Sequence, residues 1–86
     1  MAKDVLTYQP GPVFYDVWAG ALRAMGMSIG EWCAAEGMSA HSVRLMATGA
    51  LNGEKSHDVR RRMVAVVGDD VFRVLYEARE RRRKAA

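Results

Sequence analysis

A chain of 86 residues, half of them apolar or aromatic and with a formal net charge of +3, can bury one small core and leaves no room for a second domain. Its single cysteine, Cys33, excludes an internal disulfide and fits a reducing compartment. No apolar run approaches membrane-span length, and the opening MAKDVLTYQPGP lacks the basic-then-apolar order of a secretory signal, so no membrane partner and a cytoplasmic location are expected.

Residues 1–12 read as an N-terminal arm. Val5, Leu6 and Tyr8 suit a short extended piece, and Pro10-Gly11-Pro12 forbids helix continuation; such an arm either docks on the core or lies along a partner. The pattern then changes. Phe14, Val17, Trp18, Ala21, Leu22 and Met25 fall at i, i+3, i+4, i+7, i+8 and i+11, which predicts a first helix ending at Gly26.

The segment Leu22 to Gly49 holds two shorter helical patterns, at about 28–36 and 40–48, separated by Gly37-Met38-Ser39. Gly37 can take positive φ and swing the chain between them. Ser39 is an N-cap candidate, its hydroxyl accepting from a backbone N–H in the next first turn. The first pattern runs Ile29, Trp32, Cys33, Glu36. Cys33 is small enough for a close helix crossing, and Met38, Val43 and Met46 fill the wedge. The second pattern puts Val43, Met46, Ala47 and Ala50 on one face and leaves Ala40, His41, Arg44, Leu45 and Thr48 on the other. One face packs and the other is free to read. Met25, Met27, Met38 and Met46 stand at core spacing, and Trp18 and Trp32 are expected in the core.

Beyond the loop Gly49 to Lys55, with its Asn52-Gly53 turn signal, Ser56 or His57 starts a fourth helix. Asp58 falls in its first turn, and Val59, Met63, Val66 and Val67 form its buried face up to Gly68. Asp69 caps a fifth helix, about 70–83. Val71, Val74, Leu75 and Ala78 make one stripe of it and Phe72 with Tyr76 an adjoining one, a wider apolar arc than one small core needs. That surplus points to a partner surface, and a second copy is the economical partner. The expectation is an all-α, compact five-helix domain over 13–78, with the arm before it and a basic tail, 79–86, after it.

The residues Leu22-Arg23, Gly26-Met27-Ser28, Gly37 and the closing Thr48-Gly49 resemble the Cro and lambda-repressor-like helix-turn-helix domains, including the small phage regulators of the Ner kind. The resemblance covers roughly a third of the chain at motif level, and the apolar helix, glycine and further short helix within MVAVVGDDVF (63–72) extend it. It implies a lambda-repressor-like fold that binds double-stranded DNA. The chain departs from the family at Ile29, Ala40 and His41, where many members carry glutamines that donate to phosphate or read adenine. Those contacts are not carried over. Glu36 stands where the family has an apolar or small residue, so that it points outward or the first motif helix is rotated.

In that docking the second motif helix enters the major groove N-terminus first. Ala40, His41, Arg44 and Leu45 then face base edges. Arg44 suits guanine O6 and N7, a pairing worth about 1–3 kcal/mol of discrimination; His41 donates to an acceptor, and Ala40 or Leu45 covers a thymine methyl. Ser28, Ser39, Asn52, Lys55, Ser56 and Arg60 are the expected phosphate positioners, and Val71, Val74, Leu75 and Ala78 the dimer interface. The function implied is a phage or prophage transcriptional regulator, a repressor occupying an operator or a protein presenting a surface to RNA polymerase, associated with the nucleoid.

Charge distribution bears on this. Residues 1–56 hold four basic and five acidic side chains, residues 57–86 nine basic and five acidic. Arg60-Arg61-Arg62 and Arg79 to Lys84 create the excess, either as phosphate-binding forks or as solvated helix faces. His41 and His57 lack further metal ligands at sensible spacing, so no metal is expected, and no other cofactor. Cys33 lacks a companion base and reads as a small hydrophobe. With no phosphate loop and no paired carboxylates the chain does not read as an enzyme. The competing reading is a helical protein-interaction module, antitoxin-like or polymerase-binding, which the single arginine on the exposed helix favours.

Overall fold

Five helices carry the chain from Pro12 to Ala85 in a computed structural model that describes residues 8–85: α1 (Pro12–Ala24), α2 (Ile29–Ala35), α3 (Ala40–Thr48), α4 (Glu54–Val67) and α5 (Asp69–Ala85). No strand occurs among the described residues. The all-α, five-helix architecture expected from periodicity is present. Val5 and Leu6 of the arm lie outside the described residues.

Pro12 occupies the start of α1, where its missing N–H costs nothing and its fixed φ already suits a helix. The helix buries Phe14, Val17, Trp18, Ala21 and Leu22 and packs on all four of the others. Trp18 sits at its centre, fully buried, with the Trp32 ring of α2 edge-on at 5.2 Å. Its indole Nε1 finds no hydrogen-bond acceptor among the described residues. A buried donor left so costs about 1–3 kcal/mol, set against the large apolar area the ring removes from water.

Two turns fix α2 and α3 relative to each other. Gly37 adopts φ 76°, and the Met38 amide reaches back to the Cys33 carbonyl at 2.9 Å, so the end of α2 is tied down before the chain reverses. Cys33 is buried at the crossing. α3 buries Val43, Met46 and Ala47 and ends on Gly49, left-handed at φ 92°. Ala50 is exposed and beyond the end of α3, so the packed face closes one turn earlier than expected.

The arm docks on the core over the residues described. Tyr8 packs edge-on to Phe72 and Tyr76, with ring centroids 5.0 and 4.9 Å away, and the Gln9 amide donates to the Tyr76 hydroxyl at 3.0 Å. The Gly11 amide donates to the Ala47 carbonyl of α3, also at 3.0 Å. Pro10 lies so close to Gly49 that a Cβ there would meet the proline Cβ at 3.4 Å.

Several expectations are corrected. Met25 is 46% exposed rather than core, because it lies just beyond the end of α1 and turns off its packed stripe. α4 begins at Glu54 on a Gly53 cap, earlier than Ser56, which places Asp58 in its second turn. Val64 is fully buried and Val66 only half-buried. Asp69 is the first helical residue of α5, not its cap. The basic segment 79–84 is not a separate tail: α5 continues through it, and Arg79 pairs back to Asp16 of α1 at 3.1 Å. Within α5, Phe72 and Tyr76 face the core, while Val71, Val74 and Leu75 stand exposed and Ala78 is half-buried.

Candidate nucleic-acid interface

The exposed side of α3 is the candidate surface, and its rigidity begins with its cap. Ser39 accepts from the Ser42 amide at 3.1 Å and donates to the Ser42 hydroxyl. Ser28 caps α2 in the same manner, accepting from Glu31 at 3.2 Å. Each hydroxyl satisfies one of the orphan donors of a helix start. Both serines are exposed, so the start of each helix is accessible.

Ala40, His41 and Arg44 are exposed along the first turns of α3, and Leu45 and Thr48 are half-buried. Thr48 is bound to its own helix, its hydroxyl donating to the Arg44 carbonyl at 2.9 Å. The Arg44 guanidinium makes no hydrogen bond or ion pair among the described residues. Its Cζ lies over the Tyr15 ring of α1, 5.3 Å from the centroid. Tyr15 in turn rests against Trp18, ring centroids 6.0 Å apart.

The proposed phosphate positioners divide. Lys55 is exposed and has no ion pair among the described residues, and Asn52 is exposed. Ser56 and Arg60, by contrast, are buried, 3% and 4% exposed, and neither is open to a phosphate. This corrects their assignment as phosphate contacts. Arg60 donates to the Met46 carbonyl at 2.6 Å and to Asn52 Oδ1 at 2.8 Å, so it ties the α3–α4 loop to the last turn of α3. Desolvation lowers its pKa from the usual arginine value. The rest of the arginine triplet is neutralised. Arg62 bonds both Asp58 and Glu36, the latter at 2.9 Å, and Arg61 pairs with Asp58 at 3.3 Å. Glu36 therefore does not point freely outward; it turns onto α4, where Arg62 holds it.

Arg60 was legible in principle. It lies four residues after Ser56 and four before Val64, on the stripe that α4 buries, but three consecutive arginines hide which one faces in. Tyr15 fell off the apolar stripe of α1 and so carried no signal beyond its aromatic ring.

The start of α4 is mixed in charge. A cleft at the start of α4 is lined by Glu54, Lys55, His57, Asp58 and Arg61. A groove of about 390 Å³ runs beside the turn, between Met38, Ser42 and Met46 on one side and Leu51 and Lys55 on the other. Burial pushes the Cys33 thiol above its ordinary value, which disfavours the thiolate needed of a nucleophile. Among the described residues no three of the histidine, cysteine, aspartate and glutamate side chains group to hold a metal ion, and no helix is long and apolar enough to cross a membrane. Compared with known protein families, with characterised proteins and with solved structures, this chain finds no match.

Proposed function

We propose that this chain is a sequence-specific double-stranded DNA-binding transcriptional regulator of phage or prophage type, reading the major groove with α3. The observation that carries the reading is Arg44: it projects from the open side of a capped helix whose other side is docked through Val43, Met46 and Ala47. Its fork has no partner among the described residues, as a donor to guanine O6 and N7 requires. His41, Ala40 and Leu45 complete the reading edge, and Ser28, Ser39, Asn52 and Lys55 position phosphates. The resemblance to Cro and lambda-repressor-like domains supports the same docking.

The exposed Val71, Val74 and Leu75, with Ala78 beside them, supply the surface for a second copy. Two reading helices about one duplex turn apart then call for a dyad-symmetric operator. The protein acts as a repressor by occupying that operator or as a regulator presenting a surface to RNA polymerase, and it resides on the nucleoid. A second reading, an adaptor that binds a protein through α3, is favoured by the poor basic content of that helix, which carries only His41 and Arg44.

Selection of duplexes from a random pool tests the proposal. A DNA reader enriches one sequence, prefers it to scrambled competitor by several kcal/mol and loses affinity steeply with salt. A pool that emerges unenriched, with salt-insensitive binding, replaces this reading with the adaptor.

A further inference from the structure

We infer that Tyr15, outside the turn and its two helices, sets the specificity of the proposed reading edge by holding the Arg44 guanidinium against its ring. The inference rests on the DNA reading above and adds to it a residue from α1.

The geometry is a guanidinium placed on an aromatic face, Cζ 5.3 Å from the ring centroid. A guanidinium held by the quadrupole of a ring needs none of its N–H donors for that contact, and those of Arg44 make no hydrogen bond among the described residues. An ion pair with a carboxylate would instead consume the fork. Tyr15 therefore restrains Arg44 without occupying the donors that recognition needs. The restraint is itself anchored, since Tyr15 is half-buried and lies against Trp18, which is fully buried. An arginine loose in water loses rotamer freedom when it engages a base; one already laid against a ring loses less. The saving appears only on the duplex that presents the right acceptors, and so it enters discrimination rather than general affinity.

The test compares wild type, Tyr15→Phe and Tyr15→Leu on the duplex that wild type selects from a random pool and on the same duplex with the guanine opposite Arg44 replaced. Tyr15→Phe keeps the ring and discriminates like wild type. Tyr15→Leu keeps apolar volume and loses the ring face, and its preference for the guanine falls about two- to fivefold, the size of an exposed cation–π contact, while affinity for scrambled duplex and its salt dependence stay put. In the free protein, the ring-current shift of the Arg44 Nε proton disappears in Tyr15→Leu and survives in Tyr15→Phe. If Tyr15→Leu discriminates as wild type does, or weakens every duplex equally, Tyr15 has no part in specificity and the inference is overturned. A wild-type protein with no duplex preference fails at an earlier step: it removes the DNA reading and the inference with it.

Discussion

Arg60 donates to the carbonyl of Met46, one of the residues by which α3 is docked, at 2.6 Å, from a position 4% exposed to solvent. The contact joins the helix that carries the candidate reading edge to the helix that follows it, and its second bond, to Asn52, fixes the intervening loop. Replacing Arg60 by alanine strands the Met46 carbonyl and opens a void, a loss of about 3 kcal/mol of unfolding free energy. Denaturant titration checks the value. A loss below about 1 kcal/mol, the size of a single ordinary hydrogen bond, would show that water replaces the guanidinium without penalty.

Ser39 separates structural from recognition roles. Ser39→Ala removes the cap and lowers stability by about 1 kcal/mol. Ser39→Asp keeps the cap and complements the helix dipole, so thermal unfolding stays near wild type, yet a carboxylate there repels a phosphate. The expected outcome is a stable variant with weaker binding to all duplexes and unchanged sequence preference. Equal binding by Ser39→Asp and wild type would take Ser39 off the phosphate track.

Arg44→Ala is expected to abolish preference at one base position per half-site, with residual non-specific affinity largely intact. Competition assays over single-base variants of the selected site read this directly. Uniform weakening across all variants makes Arg44 a phosphate contact.

Self-association is tested at Val74, 63% exposed on α5. Val74→Glu puts a charge in the middle of the exposed apolar stripe and is expected to shift sedimentation from dimer to monomer, while the unfolding free energy of the monomer changes by no more than about 0.5 kcal/mol. A wild type that sediments as a monomer, free and on DNA, removes the dimer from the proposal.

Stability is expected to fall in alkali. Burial raises the Cys33 thiol above its ordinary value of 9.0, and Tyr8 is raised above 10.0, first by burial and then by the Asp69 carboxylate. In each case the unfolded chain releases its proton at lower pH than the folded one, so above the ordinary value the unfolded state binds fewer protons and unfolding is favoured. Cys33→Ala removes the thiol's share. Comparison of urea midpoints at neutral and strongly alkaline pH is expected to show a smaller drop in Cys33→Ala than in wild type.

What was legible in the sequence followed from strong local signals. α1 carried about three turns of apolar periodicity, and α2 and α3 each began on a serine and closed on a glycine, so their bounds fall within a residue or two of expectation. α4 began early because Gly53 caps it without a side chain, and nothing in Glu54-Lys55 marks a boundary that Ser56 does not mark more loudly. The division of the candidate site was less legible for a different reason. Whether an arginine reads, braces or pairs depends on what stands opposite it: Met46 and Asn52 draw Arg60 inward, Asp58 and Glu36 hold Arg62, and Tyr15 lies under Arg44. None of these partners is adjacent in the chain.

The segment Gln9 to Gly11 is secured at one end by Tyr76 of α5 and at the other by Ala47 of α3, two helices whose backbones do not approach each other closely. Gln9 and Tyr76 are 67 positions apart, and the entropy of closing so long a loop must be met before the bond returns anything. The segment Gln9 to Gly11 is therefore expected to settle late in folding, once both anchorages exist. Substitutions at these two anchorages are expected to speed unfolding and leave the refolding rate nearly unchanged, as the two arms of a denaturant chevron would read.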